Sequence, residues 1–402
     1  MKSVNRHACK HLSKILPSKQ TGSVCTSHCR RRPQISASQG IRGAATSPSS
    51  LSSDVVKRLT ITQPDDWHLH VRNDATLKAV VPHTARVFGR AIIMPNLNPP
   101  VRTTSQALEY QRQVLDAVPE GSDFQPLMTL YLTDDTTPED VRAAVDSGIV
   151  AAFKLYPAGA TTNSSAGVTD LNRCKDTLEA MAELGLPLCV HGEVTDPEID
   201  IFDREKVFLD RKLAPLQAAI PSLKVILEHV TTADAVDYVV NGTENIAATM
   251  TPQHLLFNRG AIFQGGLRPH MYCLPILKRE RHREALLAAA TSGSTKFFLG
   301  TDSAPHPKHA KECGCGCAGI FSAHAALPLY AVAFEQAGAL DKLEGFASLN
   351  GPAYYKRPVN SRKVTLVRDD WDVPDEMDLG GGNTVVPLWA GQVMPWRVQV
   401  EP

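Results

Sequence analysis

Aspartate and glutamate are absent from the first 53 positions of this 402-residue chain. The same stretch holds nine lysines or arginines, including Arg30-Arg31-Arg32, and 12 serines. A basic, serine-rich and acid-free beginning is typical of an organellar transit peptide, with the mitochondrion as first choice and the plastid as the alternative. A disordered basic tail with no targeting role would have the same composition. We therefore predict that residues 1–53 form a leader outside the folded protein.

A basic excess is also lacking once this leader is set aside. The remaining residues carry 33 basic against 42 acidic side chains, a net charge of −9, which gives no support to nucleic-acid binding. No run approaches the roughly 18 apolar residues of a membrane span, so we predict no transmembrane helix. Nine scattered cysteines, three of them in the leader, make no framework of the secreted kind, and we expect reduced thiols.

Short apolar runs alternate with helical patterns from about Lys57 onward. The ends of successive runs lie about 33 residues apart, the size of one strand-plus-helix unit. Eight such runs predict a parallel (β/α)8 TIM barrel. A doubly wound sheet would also alternate, but no Gly-x-Gly-x-x-Gly follows the first run. The runs are residues 59–61, 91–94, 127–132, 150–155, 186–190, 225–227, 246–250 and 297–299.

Helix signals between the runs agree with this assignment. Thr137 is placed to cap a helix that begins at Pro138 and ends before Gly148, and Thr103 or Thr104 opens an earlier one. Beyond Asn350 the alternation stops, and proline, glycine and short valine-rich pieces follow. We assign residues 54–350 to a catalytic barrel and 351–402 to a C-terminal extension packed on it.

The stretch Asp66-Trp67-His68-Leu69-His70-Val71-Arg72 places two histidines one residue apart. On extended backbone, residues two apart project to the same side, so both imidazoles can hold one metal ion. Half-buried histidines at a strand end would produce the same pattern without a metal. Arg72 projects to that side as well, where its guanidinium can bind a carboxylate through two hydrogen bonds.

Polar residues occur at or near the ends of these runs, and in a barrel the C-terminal ends of the strands build the active site. Each of them alone could be an ordinary strand-end residue, whereas their convergence predicts a site. They are His68, His70, Asn96, Lys154, His191, His229 and Asp302.

Lys154 is the least expected of these residues because the run Ala151–Tyr156 is predicted to be buried, where a charged amine is costly. The amine could stay neutral through a lowered pKa. It could react with carbon dioxide to give a carbamate whose two oxygens bridge two cations. It could also snorkel to the rim or pair with a carboxylate.

Six motifs, taken together and in order, resemble the dihydroorotases of the bacterial single-function type, also found in plants, within the amidohydrolase superfamily. The resemblance runs from about residue 58 to the end. It implies zinc-dependent, reversible cyclisation of N-carbamoyl-L-aspartate to (S)-dihydroorotate and water in pyrimidine biosynthesis, and it suggests a homodimer. The motifs are 66–72, Met94-Pro95-Asn96, Lys154-Leu155-Tyr156-Pro157, Val190-His191-Gly192-Glu193, Glu228-His229 and 300–306.

Residue by residue, the resemblance implies two zinc ions per subunit. Imidazole and carboxylate ligands suit zinc, and paired ions lower the pKa of a shared water. Asp302 would also move the proton of the reaction as base and acid. The implied ligands are His68, His70 and Asp302 for the more buried ion, His191 and His229 for the more exposed ion, and carbamylated Lys154 between them.

The resemblance also implies a substrate pocket. Arg72, Asn96 and His306 would bind the substrate carboxylate, and backbone groups of Leu274 and Ala318 would contact the ring. The small, polar loop of residues 158–165 suits a lid, in which Thr161 and Thr162 would bond the bound substrate; a mobile linker is the simpler interpretation of this loop.

Two other classes of protein share such a barrel. A dihydropyrimidinase or allantoinase has no need of a carboxylate clamp, so Arg72 and Asn96 favour a dihydroorotase. A non-catalytic scaffold of the collapsin response mediator kind would lack metal ligands, and none is missing here.

Two further motifs are assigned no metal. The loop Cys313-Gly314-Cys315-Gly316-Cys317 has no clear fourth ligand nearby, so we expect it to present backbone near Ala318. His254 is expected to be structural or to support the site rather than to be a further ligand.

Overall fold

The structure is a computed structural model, which describes residues 56–400. The predicted leader, residues 1–53, lies outside the described residues. All six cysteines within the described part are free thiols, as expected. Across residues 56–400, no helix has the length and apolar character needed to cross a membrane.

Thirteen strands and twelve α-helices build the described part of the chain. The strands are β1 (Arg58–Thr62), β2 (Asp65–Leu69), β3 (Arg90–Ile93), β4 (Gln125–Tyr131), β5 (Val150–Leu155), β6 (Leu188–Val190), β7 (Val225–Leu227), β8 (Ile246–Met250), β9 (Phe297–Leu299), β10 (Lys363–Asp372), β11 (Met377–Gly380), β12 (Asn383–Val385) and β13 (Val393–Val400). The helices are α1 (Asp74–Ala85), α2 (Thr104–Leu115), α3 (Pro138–Ser147), α4 (Lys175–Leu184), α5 (Arg204–Phe208), α6 (Ala214–Ala219), α7 (Ala233–Asn241), α8 (Pro252–Leu256), α9 (Glu280–Thr291), α10 (Lys308–Lys311), α11 (Ala326–Gln336) and α12 (Asn350–Tyr354).

Strands β2 to β9 form one parallel sheet in which each strand pairs with the next along the chain. The first and last strands meet just beyond their ends. There, the Asp302 amide donates to the His68 carbonyl at 2.9 Å, and the His70 amide donates to the Ser303 carbonyl at 3.1 Å. These bonds bring the sheet round into a nearly closed barrel surrounded by helices. The predicted TIM barrel is confirmed.

The predicted first barrel strand, Leu59 to Ile61, is wrong. These residues lie in β1, which pairs antiparallel with β10, so that Leu59 faces Leu366 and Ile61 faces Val364. Strand β10 also pairs with β13, which completes a separate three-stranded sheet. The first barrel strand is β2, and it carries His68. An apolar run predicts a strand but not its partner, and the partner of β1 is about 300 positions away in sequence.

The helix ends agree with the sequence signals. Thr103 and Thr137 each form a reciprocal capping box at the start of α2 and α3. Helix α3 ends at Gly148 in the left-handed conformation, with φ of 70°. These two helices therefore begin and end where their capping residues require.

The opposite, N-terminal end of the barrel is closed by aromatic rings. Trp67 stacks on Tyr355 with 4.5 Å between ring centroids, and the Tyr354 hydroxyl donates to the carbonyls of Val225 and Asn245 at 2.9 Å each. Gly351 lies directly against the indole, since a Cβ there would lie 1.9 Å from Trp67 Nε1. Helix α12 therefore seals this end of the barrel only with glycine at position 351.

Candidate metal centre and substrate cavity

Three predicted ligands surround one carboxylate oxygen at the C-terminal end of the barrel strands. The Nε2 atoms of His68 and His70 lie 3.3 and 3.1 Å from Asp302 Oδ1, and 3.2 Å from each other. The hydrogen bonds that close the barrel hold the same residues, because they join the main chains at His68 and Asp302. Two ends of a sheet that are distant in sequence thus present one cluster of donor atoms.

His229 and His191 extend this cluster to the side. Ligand atoms of His68, His229 and Asp302 lie within 4.8 Å of one another, close enough for one metal ion. The rings of His191 and His229 are 4.9 Å apart between centroids. Nδ1 of His229 is buried and has no hydrogen-bond partner in the described part of the chain. A buried nitrogen of this kind is unfavourable unless an unseen partner binds it.

Glu193 orients His191. Its Oε2 lies 3.0 Å from His191 Nε2, which leaves Nδ1 as the ring nitrogen available to a cation. Sequence reasoning gave Glu193 no role, although an acid two residues beyond a predicted ligand is a usable signal.

Lys154 is completely buried and forms an ion pair with Glu228. The second oxygen of Glu228 lies 2.9 Å from His68 Nδ1, so Nε2 of that ring points to Asp302. The structure has Lys154 paired with a carboxylate, which is one of the alternatives predicted for it. Sequence reasoning also missed Glu228, which directly precedes the predicted ligand His229.

Charge in the cluster follows from these contacts. Burial opposes ionisation of Glu228, but His68 and Lys154 lower its pKa to about 2. Burial also lowers the pKa of His70 to about 4 and that of His229 well below its ordinary value. Asp302 has a pKa well below normal because His68 and His70 outweigh its burial. The carboxylates are therefore ionised and His70 and His229 neutral, the forms that bind metals. Against its burial, Glu228 and Asp302 raise the pKa of His68 to about 9, so this ring would lose a proton on binding a metal.

Backbone strain concentrates at the same place. Arg72, His229 and Asp302 have φ angles of 59°, 43° and 44°, in the left-handed region that residues with a Cβ seldom adopt. Such conformations cost free energy and persist where the surrounding structure enforces them. Each turns a side chain from the end of a strand into the cavity.

Arg72 forms the centre of a second, cationic group. Its Nε donates to the Pro305 carbonyl at 3.1 Å, and its Nη2 lies 3.1 Å from His306 Nε2. That same Nε2 lies 2.9 Å from the Ala318 carbonyl. One nitrogen cannot donate to Ala318 and accept from Arg72 at once, so when His306 donates to Ala318 the Nη2 of Arg72 is available for an anion.

The loop of residues 158–165 lies over the cavity. Asn96 Nδ2 donates to the Thr162 carbonyl at 3.1 Å, and Asn163 Nδ2 donates back to the Asn96 carbonyl at 3.0 Å. The Thr162 hydroxyl is 3.5 Å from the Ala318 carbonyl. The free cavity volume is about 20 Å³, room for roughly one water molecule.

Most of the predicted site residues line this one cavity. Lys154 and His306 do not line the cavity. Lys154 contacts Glu228, which contacts the lining residue His68, and His306 contacts the lining residue Arg72. Tyr156, Ala304 and Gly319 also line it, although no role was predicted for them. The predicted residues that line it are His68, His70, Arg72, Asn96, Thr161, Thr162, His191, His229, Leu274, Asp302 and Ala318.

Neither of the two motifs set aside from metal binding joins the cluster. His254 uses Nδ1 for the Thr251 hydroxyl at 2.6 Å and Nε2 for the Pro275 carbonyl at 3.0 Å, so both nitrogens hold the fold together. The sulfurs of Cys313 and Cys315 are 3.2 Å apart on the surface. Within residues 56–400, the cysteines form no group of three ligands.

Comparison with solved structures finds the same barrel fold in other proteins. An L-hydantoinase (dihydropyrimidinase) from Arthrobacter aurescens shares the fold, with a TM-score of 0.72 at 16% identity, over 85% of this chain and 84% of that one. The crystal structure of dihydroorotase from Campylobacter jejuni has the same barrel, with a TM-score of 0.78 at 36% identity over 85% of this chain and 97% of that one, and this likeness makes the chain a cyclic amide hydrolase of the amidohydrolase type. No protein-family model matches the chain.

Closer relatives narrow this class. A dihydroorotase from Laribacter hongkongensis is 61% identical over 341 residues, 85% of this chain and 99% of that protein, and one from Picosynechococcus sp. is 59% identical over 342 residues, with the same shares. The crystal structure of dihydroorotase in complex with 5-fluoroorotic acid from Saccharomyces cerevisiae has a TM-score of 0.80 at 34% identity, covering 86% of this chain and 100% of that one. The chain belongs to the dihydroorotase family.

Proposed function

We propose that this chain catalyses the reversible, zinc-dependent cyclisation of N-carbamoyl-L-aspartate to (S)-dihydroorotate and water. The observation that carries the proposal is one cavity in which the cluster of His68, His229 and Asp302 faces Arg72. A cyclic amide is bound at one side of such a cavity and its carboxylate at the other. The 34% identical yeast relative has been crystallised with 5-fluoroorotic acid, a flat ring of this chemical type.

The donor set fits two divalent cations. Imidazole nitrogens and a carboxylate suit zinc, and the unpartnered His229 Nδ1 is explained by a cation or its ligand. When bound, two cations lower the pKa of a water molecule between them and polarise the amide carbonyl. We assign His68, His70 and Asp302 to the more buried ion, His191 and His229 to the more exposed ion, and Lys154 to both.

Lys154 would bridge the ions as a carbamate. The neutral amine attacks carbon dioxide, a nitrogen–carbon bond forms, one proton leaves, and an anion with two oxygen ligands results. The ion pair with Glu228 must open for this reaction. Glu228 then remains bound to His68 Nδ1, which keeps Nε2 directed at the centre.

Asp302 is assigned the proton transfer. In the hydrolytic direction it accepts a proton from the attacking water and hands it to the leaving ring nitrogen. In the biosynthetic direction it accepts the amide proton and then protonates the departing oxygen. Arg72, with Asn96 and His306, binds the substrate carboxylate and so fixes the distance between the amide and Asp302.

The loop of residues 158–165 is assigned the role of a lid. Because the free volume of the cavity holds about one water molecule, a ring-sized substrate enters when the hydrogen bonds that join Asn96 to Thr162 and Asn163 open. The hydroxyls of Thr161 and Thr162 then bond the bound substrate and exclude water.

Two assays of the full chain test the proposal. Zinc counting should give close to two ions per chain, and hydrolysis of dihydroorotate should stop with chelator and return with zinc. Dihydrouracil, which lacks the carboxylate, serves as the control substrate and should react far more slowly. Equal rates with both substrates would favour a dihydropyrimidinase, and a chain without bound metal would overturn the zinc site.

Assembly and location complete the proposal. We propose a homodimer, a leader of residues 1–53, a barrel of residues 54–350 and an extension of residues 351–402. The relatives named from Laribacter and Picosynechococcus are bacterial, the second cyanobacterial, and they give no support to a mitochondrial over a plastid destination. Light scattering on the purified chain tests the dimer, and imaging of a fluorescent fusion to residues 1–53 decides between the two organelles.

A further inference from the structure

Lys311, which ends the short helix α10, is buried without a carboxylate partner. Only 3% of its surface is exposed, and no ion pair to it occurs within residues 56–400. Its ammonium donates instead to three backbone carbonyls, those of Tyr272 at 2.8 Å, Cys317 at 2.9 Å and Gly319 at 2.5 Å. An ammonium has three hydrogens, so all of its donors are used.

These carbonyls belong to two loops that wall the substrate cavity. Tyr272 lies two residues before Leu274, and Cys317 and Gly319 flank Ala318; both Leu274 and Ala318 line the cavity. The Gly319 amide also donates to the Tyr272 carbonyl at 3.1 Å. The ammonium therefore joins the two loops at the positions next to Leu274 and Ala318.

The second loop is rich in glycine and is otherwise held by neutral hydrogen bonds, such as that from the Cys317 amide to the Ala310 carbonyl at 3.1 Å. Three glycines lie among residues 314–319, and Gly319 has a φ of 150°, where a Cβ would lie 2.5 Å from the Ala304 carbonyl. Glycine removes the side chain that would restrict such a loop. The charged hydrogen bonds of Lys311 add a stronger constraint, since a bond to a charged donor is stronger than a neutral one.

Burial of this charge is unfavourable. It lowers the pKa of Lys311 to about 8, opposed by Cys273 and Cys317 and reinforced by Arg72. A hydrophobic side chain of the same length would fill the space without that cost. A role beyond packing explains why the chain has lysine here.

We propose that Lys311 is a positioning residue, which fixes the backbone of Leu274 and Ala318 so that their polar groups meet the substrate ring. The inference rests on the proposed function, because that function assigns these backbone groups to the ring. Lys311 itself touches no substrate atom in this assignment.

Lys296, which is half-buried, offers a control for the loss of three hydrogen bonds at the other end of the barrel. Its ammonium also donates to three backbone carbonyls, those of Val239 at 3.0 Å, Val240 at 3.4 Å and Gly242 at 2.6 Å. It directly precedes β9, at the N-terminal end of that strand, and it does not line the cavity. Loss of Lys296 therefore reports what removing three such hydrogen bonds does to the fold alone.

The experiment compares Lys311→Met and Lys296→Met with the unmodified, zinc-loaded full chain. Both variants should melt at lower temperature and keep their zinc. Only Lys311→Met should raise KM for dihydroorotate, by about tenfold or more with kcat changed by a few-fold at most, as for lost binding contacts. Binding of 5-fluoroorotate, measured by calorimetry, should weaken in parallel. An unchanged KM, or an equal rise in Lys296→Met, would overturn the proposal.

Chemical rescue gives a second measurement, for which Lys311→Ala is folded in the presence of the added amine or alcohol if it does not fold alone. Lys311→Ala lacks three carbons and the nitrogen, which propylammonium restores. Propylammonium should lower KM toward the unmodified value, whereas 1-propanol, which fills the space without a charge, should not. Equal recovery with both would overturn the positioning role. Absence of turnover in the unmodified chain would instead overturn the proposed function, and the inference with it.

Discussion

At the C-terminal end of the barrel strands, histidines and carboxylates crowd a cavity, whereas stacked rings close the N-terminal end. At the first end, His229 and Asp302 are buried titratable residues on strained backbone. At the second end, Trp67 stacks on Tyr355 and the Tyr354 hydroxyl bonds two carbonyls. The two ends of the barrel therefore have different roles: the first holds the proposed site, and the second stabilises the fold. Changes at the first end should alter chemistry with little loss of stability, and changes at the second should do the reverse.

Asp302→Ala should produce the largest effect. Removal of the group assigned to proton transfer, which also contacts His68 and His70, should lower kcat by about 10³-fold or more. The folded state should survive, because the Asp302 bond that helps close the barrel is made by its main chain. Circular dichroism and steady-state kinetics check both statements, and substantial residual turnover would contradict the assigned role.

Tyr355→Ala tests the opposite end. Loss of the ring that stacks on Trp67 should cost about 3–5 kcal/mol of unfolding free energy, as for other large aromatic residues cut to alanine. The kcat/KM of the remaining folded molecules should change only a few-fold. Denaturant titration measures the first quantity. Tyr355→Phe is the control, which keeps the stack and loses only the hydroxyl contact with Cys189.

Arg72→Met should weaken substrate binding more than it slows the chemistry. Two hydrogen bonds between a guanidinium and a carboxylate account for about a 100-fold change in affinity, so KM for dihydroorotate should rise by that order. Dihydrouracil, which has no carboxylate, should be hydrolysed as slowly as by the unmodified chain. A normal KM for dihydroorotate would contradict the carboxylate assignment.

Glu228→Gln should have a smaller effect on the centre. The Glu228 carboxylate contacts the proposed ligands His68 and Lys154 but is not itself a proposed ligand. Loss of a group that orients metal ligands lowers metal affinity by about 10- to 100-fold. Zinc competition with a chelator measures this change. Glu205→Gln is the control, since that buried carboxylate bonds Thr231 and Thr232 instead of a predicted ligand. An equal loss of zinc affinity in both variants would mean that removing the charge of any buried carboxylate disturbs the metal centre.

The same division explains what could be predicted from the sequence. His68 and His70 were predictable because their spacing on a strand places both side chains on one side. That this extended stretch is itself the first barrel strand, β2, was not predicted, because three of the five residues from Asp65 to Leu69 are polar. Leu59 and Ile61 offered the stronger strand pattern, and their true partners near Val364 could not be found from local periodicity.

Residues that act through others were the ones missed. Glu228 and Glu193 each lie within two positions of a predicted ligand, so proximity to a ligand was their only signal. Lys311 gave none, because a lysine before a glycine-rich loop ordinarily is a solvated charge. Its burial depends on Tyr272 and Gly319 folding over it, and such contacts exist only in three dimensions.

The pairing of β1 with β10 also sets an order of events during synthesis. Arg58 to Thr62 emerge before every barrel strand, yet their partners, Lys363 to Val367, are made about 300 residues later, after the last barrel strand. Throughout elongation β1 has an unpaired edge, and unpaired edges recruit other strands. The barrel strands pair in the order in which they are made, but the three-stranded sheet of β1, β10 and β13 can form only after the whole barrel has been synthesised. Synthesis of β10 and β13 is thus a condition for covering the edge of β1.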